Sequence, residues 1–349
     1  MNDTTKANGG GMKLGRLLLT AVLTIGLVAL LLTQVSITKI VDMIKGSDPG
    51  LFLLATAAYA VSYVGRTWRW KLLTPGHDVG WGPLIGISTV HNFMLRALPS
   101  KLGEASYLVL MRSRGVPGTE ALAALVVARI YDTIAAILFF GVSVLLAHTA
   151  LAGSKVAGGL VILLILAASA FAVLKGSLMV RWMRMLAHRL VESKRMPAIV
   201  TGHGIRRRME SLERHLQALQ SGRQAPLILF NTLVIWGPSF AMTWWLLSAF
   251  GHPLSFWGTV FASTLGIVAT LLPVGTLGNF GTQEMGWTLG MTMLGVDKEI
   301  AIATGFSTHL VGFVLAGLFA LIGAPFNAVG ARRATSQPPP DARQPIRDA

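Results

Sequence analysis

The stretch Leu98–Asp132, LPSKLGEASYLVLMRSRGVPGTEALAALVVARIYD, decides how this chain is read. With Arg96 just ahead of it, it sets Lys101, Glu104, Arg112, Arg114, Arg129 and Asp132 in or beside apolar sequence. An ionisable side chain at membrane depth costs ~2.5–3.5 kcal/mol on insertion scales, so it needs a partner, a cavity or a substrate path. The stretch also repeats. At an offset of 180 residues Glu104 meets Glu284, Met111 meets Met291, and Gly115-Val116 meets Gly295-Val296. Ala121, Ala123, Ala136, Leu138 and Phe139 have identical partners at the same offset, giving nine identities between positions 104 and 139 without a gap. Apolar composition explains some of these, but not the glutamate or the Gly-Val pair. Upstream the frame slips by six residues, Leu98-Pro99 answering to Leu272-Pro273. The pattern is that of a duplicated unit with a longer loop in its second copy.

Composition sets the compartment. Hydrophobic residues make up 53% of the 349, charged residues 13%, and the mean hydropathy is +0.61. Recurrent apolar runs near 18 residues identify a polytopic α-helical membrane protein. The formal charge of +15 is explained by positive-inside orientation, because the basic residues lie between spans, and nucleic acid is not expected as a partner. With no cysteine, disulfides, thiol catalysis and Cys-ligated metal are excluded. The first apolar run is too long for a signal core and lacks a small-x-small exit, so a retained helix is expected.

In chain order, residues 1–13 are expected to be a disordered tail. A single membrane domain follows over 14–325, and a proline-rich disordered tail over 326–349. Full spans are expected at 14–33, 50–65, 119–148, 157–174, 226–250 and 299–324, about six in all. The second ends in Arg66-Thr67-Trp68-Arg69-Trp70-Lys71, an aromatic and basic run suited to the cytoplasmic interface. Residues 175–224 carry eleven Lys or Arg against three Glu and read as a basic amphipathic cytoplasmic segment contacting anionic lipid. Two pairs of short apolar pieces, 83–112 and 256–294, break at Pro and Gly and are too short to cross individually. Each is read as a re-entrant helical hairpin. Both termini are then cytoplasmic, and only Lys39, Lys45, Lys155 and Lys298 of 30 Lys and Arg fall outside. The hairpins enter from opposite faces, so the fold expected is an all-α inverted repeat, an arrangement common among transporters.

The candidate residues each carry two readings. Arg96, Lys101 and Glu104 surround the first break and suit an anionic headgroup; alternatively the cations are interfacial anchors and Glu104 caps a half-helix. In PVGTLGNFGTQE (273–284), backbone N–H groups together with Thr276 and Asn279 can face an anion ahead of the helix bearing Glu284; the alternative is a tight turn. Arg129 and Asp132, one turn apart, form either an internal ion pair or a headgroup contact. His309, the repeat partner of Arg129, is a packing residue or a proton carrier. Arg66 and Arg69 read as interfacial anchors, with Arg66 able to reach lipid phosphate, and Arg112 closes the first hairpin. No metal-ligand cluster, nucleophile with base or phosphate loop is present, so neither an enzyme nor a cofactor is expected.

Four features in order resemble a known family. They are Arg-x-x-Arg-Trp-x-Leu-Leu at 66–73, Leu-Pro-x-x-x-Gly-Glu with a following arginine and Gly-Val at 98–116, Ala…Arg-x-x-Asp at 123–132, and Pro…Glu…Gly-Val at 273–296. Together they resemble the lysylphosphatidylglycerol synthase transmembrane-region family, the flippase-like membrane domain, over roughly residues 14–325. The resemblance implies movement of an anionic or lipid-linked amphipathic lipid between leaflets of the bacterial inner membrane, with a membrane lipid as substrate. Relatives are linked to aminoacylated phospholipids, polyisoprenol-linked sugars and hopanoids. The soluble aminoacyl-transferring domain of bifunctional members is not expected here. A second expectation, from a different class, is an accessory protein that binds a lipid intermediate for a partner lipid-biosynthesis enzyme.

Overall fold

The protein is seen in a computed structural model that describes residues 25–26, 29–30, 33, 36–98, 100–147, 224–270 and 276–335. Those residues form helices and connecting turns, with no strand among them. The helices are α1 (Ile37–Lys45), α2 (Pro49–Leu73), α3 (Trp81–Ala97), α4 (Ser100–Arg112), α5 (Gly118–Leu146), α6 (Gln224–Ala249), α7 (Phe256–Ala269), α8 (Thr282–Met293) and α9 (Lys298–Thr335). Their starts are set by short polar side chains that take up free backbone N–H groups. Ser36 accepts from Lys39 N–H at 3.2 Å, Asp48 from Leu51 N–H at 2.8 Å, and Ser255 from Gly258 N–H at 3.1 Å.

Three described helices are long and apolar enough to cross a membrane: α5, α6 and α9 over Lys298–Asn327. They coincide with the expected spans at 119–148, 226–250 and 299–324. The span expected at 50–65 lies within α2, but that helix continues for two further turns, to Leu73. Arg66 and Arg69 therefore sit on a continuing helix rather than at its interfacial end. The span expected at 157–174 and the basic segment at 175–224 lie outside the described residues, as do tail 1–13 and most of the span at 14–33. At the other terminus α9 runs on to Thr335, past the boundary at 326 expected for the tail.

The remaining helices are short. At 1.5 Å per residue, α3 with 17 residues reaches ~25 Å, and α4, α7 and α8 reach ~18–21 Å, all less than a ~30 Å hydrocarbon core. They pack in sequence-adjacent pairs, α3 on α4 and α7 on α8. In the second pair the helices touch backbone to backbone. A Cβ on Gly286 would come within 2.3 Å of Leu265 O, and one on Gly290 within 2.6 Å of Ala262 Cα.

Specific contacts place the ends of these pairs. The start of α3 lies beside the end of the α9 span, where a Cβ on Gly86 would meet Asn327 N at 2.7 Å. Arg114, just past α4, donates to the Asn327 side chain at 2.6 Å. His77, ahead of α3, meets Glu120 at the start of α5 at 2.7 Å. One end of the bundle thus collects the start of α3, the end of α4, the start of α5 and the end of the α9 span. At the opposite end Asp48 N–H donates to Ala249 O at 2.9 Å, joining the start of α2 to the end of α6. Lys39 pairs with Glu299 at the start of α9 at 2.6 Å. Val296, past α8, packs with Leu254, ahead of α7, around Leu247 and Trp287. The α3–α4 pair opens at the first end and the α7–α8 pair at the second. Their tips meet: a Cβ on Gly278, ahead of α8, would lie 2.6 Å from Arg96 O on the last turn of α3.

The repeat read in the sequence reappears in the packing. Exchanging α2–α5 with α6–α9 maps α3–α4 contact onto α7–α8, α4–α5 onto α8–α9, α2–α3 onto α6–α7, and α3–α9 onto α7–α5. The antiparallel α2–α6 pair maps onto itself. The duplicated Gly-Val pair has one conformation in both copies. Gly115 and Gly295 take φ of 79° and 81°, where only glycine is unstrained. Val116 N–H returns to Met111 O at 3.3 Å, and Val296 N–H to Met291 O at 3.0 Å. Each is the two-bond closure that ends a helix at a left-handed glycine.

Candidate functional site

The repeated glutamates are placed alike. Glu104 on α4 lies against Arg129 on α5, with Oε1 3.0 Å from Nε. Glu284 on α8 lies against His309 on α9, with Oε1 2.5 Å from Nδ1. In both copies the base follows the carboxylate by 25 residues and reaches it from the next helix. The environments differ. The Glu104 and Arg129 side chains are 42% and 40% exposed, whereas Glu284 and His309 are 1% and 3% exposed. Glu284 also caps its own helix, its Oε2 accepting Gly281 N–H at 2.7 Å. Phe280 stacks on the imidazole at 4.2 Å between ring centroids, so His309 is held from two sides.

Asp132 has a different principal partner from the one its sequence suggests. Arg129, one turn away, approaches at 3.4 Å; Arg69 on α2 donates to the carboxylate at 2.5 Å, and Trp236 on α6 donates at 3.1 Å. Arg69 is 3% exposed and stands over the Trp70 ring. It is a buried counter-ion, not the interfacial anchor expected from the run at 66–71. Arg69, Asp132, Arg129 and Glu104 form one chain of alternating charge across α2, α5 and α4. Each charge has an opposite neighbour, which makes four ionisable groups tolerable at membrane depth.

Beside this chain lies a cavity of about 200 Å³ between the two hairpin tips. Arg66 from α2 and Arg96 from the last turn of α3 line one wall, and Gln283, Glu284 and His309 line another. Ser263 of α7 and Trp236 of α6 add to the polar lining, with Tyr59, Ser239, Thr243 and Thr308. Among the described residues neither Arg66 nor Arg96 has a carboxylate within ion-pair distance, although the Asp132 charge acts on Arg66; Arg96 hydrogen-bonds Tyr59 and lies 5.8 Å from the centre of its ring. Arg66 Nε and Ser263 Oγ are buried with no hydrogen-bond partner. A buried donor left unmatched costs about 1–3 kcal/mol, and two of them border this one cavity.

The other expected site residues lie elsewhere. Thr276 is buried and shares a hydrogen bond with Thr282 at 3.1 Å, and Asn279 takes φ of 60° while its carbonyl accepts from Thr282 Oγ at 3.0 Å. Both brace the turn into α8, and neither borders the cavity. Arg112 is exposed at the end of α4. Lys101 lies on α4, but its side chain is outside the description. Glu104 pairs with Arg129 and not with Arg96. Residues that sequence reasoning missed are Ser263, Tyr59 and Trp236 in the cavity, and the His77–Glu120 and Arg114–Asn327 contacts at the bundle end. A serine or tryptophan in an apolar helix gives no period or motif that separates a cavity wall from packing, so no signal marked them.

A family model described as the lysylphosphatidylglycerol synthase TM region matches residues 17–320. No curated protein matches the chain.

Proposed function

The chain belongs to the lysylphosphatidylglycerol synthase TM-region family, and from that premise we propose that it moves an anionic amphipathic lipid between the leaflets of a bacterial inner membrane. The observation that carries this is the cavity between the hairpin tips, where Arg66 and Arg96 outnumber Glu284, the one carboxylate that lines it with them. A phosphate or phosphodiester headgroup supplies the missing charge and accepts from the orphaned Arg66 Nε and Ser263 Oγ; Arg offers it a planar fork of donors. The acyl chains stay in the bilayer while the headgroup occupies the cavity. Short helices that open at opposite ends and meet at their tips support an inverted repeat, in which each hairpin in turn closes one access route. On this reading both termini are cytoplasmic, and the end carrying His77 and Arg114 faces the cytoplasm.

The experiment is lipid movement in vesicles containing the purified full chain. Fluorescent phosphatidylglycerol is placed in both leaflets and the outer pool is bleached chemically. With protein present, the inner pool should become bleachable faster than in empty vesicles. The Arg66→Gln, Arg96→Gln pair should slow this by ~10-fold or more, since two charge-assisted hydrogen bonds are lost. Movement no faster than in empty vesicles for phosphatidylglycerol, its lysyl ester and a polyisoprenyl phosphate overturns the proposal. Tight binding without movement identifies the accessory lipid-binding role instead.

A further inference from the structure

The two repeat-related pairs differ in one chemical respect. In the first copy the base facing the glutamate is Arg129, which keeps its proton at any physiological pH. In the second it is His309, an imidazole, which has both a neutral and a protonated form. This second pair is the one that lines the cavity. We propose that the Glu284–His309 pair is the proton-binding site of the cavity, and that an anionic headgroup and a proton bind there together. This rests on the headgroup reading given above.

The charge balance gives the direction. Arg66, Arg96 and Glu284 leave one positive charge in excess around the cavity when His309 is neutral, and two when it is protonated. The groups facing His309 are Glu284 from α8, Arg96 from α3, and Arg66 and Tyr59 from α2. The cavity residues of α6 and α7 are neutral, and α1 meets α9 through the exposed Lys39–Glu299 pair. The ring meets Glu284 through Nδ1, 2.5 Å from Oε1. A second proton on the ring leaves the Nδ1 contact to the carboxylate in place and adds a positive charge to the cavity wall. A monoanionic headgroup therefore binds more tightly when His309 is protonated. By reciprocity, headgroup binding draws a proton onto His309. An outward or inward proton gradient then biases the direction in which the lipid is carried.

The test is calorimetric titration of the detergent-solubilised full chain with soluble dihexanoyl phosphatidylglycerol, in two buffers of different ionisation heat at pH 7. Wild type should take up a fraction of a proton per lipid bound, and its affinity should fall as pH rises. His309→Arg fixes the charge and should bind without proton uptake and without pH-dependent affinity. His309→Gln, which keeps a donor for Glu284, should also lose uptake but bind more weakly. Binding by wild type with no proton exchange overturns the inference and leaves the headgroup reading standing. Uptake that persists in both variants overturns the assignment to His309. Absence of binding by any anionic lipid overturns both readings together.

Discussion

Asp132 shows how a membrane-buried charge is tolerated. Its carboxylate holds Arg69 at 2.5 Å and Trp236 at 3.1 Å, so removing it strands a cation that is 3% exposed. Breaking a buried pair from one side costs ~3–5 kcal/mol, whereas replacing both partners by apolar side chains can be nearly neutral. Asp132→Ala should therefore lower the thermal midpoint of the detergent-solubilised protein sharply, and Arg69→Leu with Asp132→Leu should recover most of it. A small loss for Asp132→Ala would contradict the burial of the Arg69–Asp132 pair on which this rests. The two repeated glutamates should separate in the same assay. Glu104→Ala removes a two-fifths-exposed contact to Arg129 and should cost under ~1 kcal/mol. Glu284→Ala removes the cap of α8 and leaves His309 buried without its partner, so it should cost about 2–4 kcal/mol. Equal losses at both positions would contradict the difference in burial on which this rests.

At the scale of elements, the hairpins depend on backbone contact that only glycine permits. Gly286→Val places atoms where Leu265 O already lies within 2.3 Å of a Cβ position, so α7 and α8 must part. The thermal midpoint should drop more for Gly286→Val than for Gly295→Ala, where open space surrounds the Cβ and the left-handed φ alone costs about 1–2 kcal/mol. The pairs of short helices were legible in the sequence because length is decisive: apolar pieces of 9–17 residues on either side of a Pro-Gly break are each too short for a ~30 Å hydrocarbon core. The correspondence of Arg129 with His309 at an offset of 180 residues was legible as well. Their shared contact to Glu104 and Glu284 was not, because an equivalence between copies does not say which helix faces lie together. The end of the second span was misread for a physical reason. Aromatic and basic residues mark an interface when they face lipid headgroups, but Arg69 instead faces Asp132, 63 residues away. No local pattern separates the two cases. The cavity followed the same rule: the sequence offered Arg66 as an interfacial anchor able to reach phosphate and Arg96 as a headgroup contact or an anchor, while Ser263 came to line the cavity only through the packing of α7.

For the whole molecule, the two bundle ends should lie on opposite sides of the membrane. The chain has no native cysteine, so single introduced cysteines report without background. Asp78→Cys and Ser113→Cys should react with an impermeant maleimide only from the cytoplasmic side, and Lys45→Cys and Asp297→Cys only from outside. Labelling of all four from one side would remove the opposed hairpins. The proposed transport imposes a further demand, because tips that meet at Arg96 and Gly278 would close the headgroup's route. They must part during each cycle. Ala97→Cys with Asn279→Cys, joined by a short cleavable bis-maleimide, should block lipid movement in vesicles. Cutting the spacer should restore it, and either single variant treated alike should remain active. If the joined protein moved lipid at the uncrosslinked rate, the headgroup would have to travel outside the tip interface. The cavity would then be a binding pocket off the transport path.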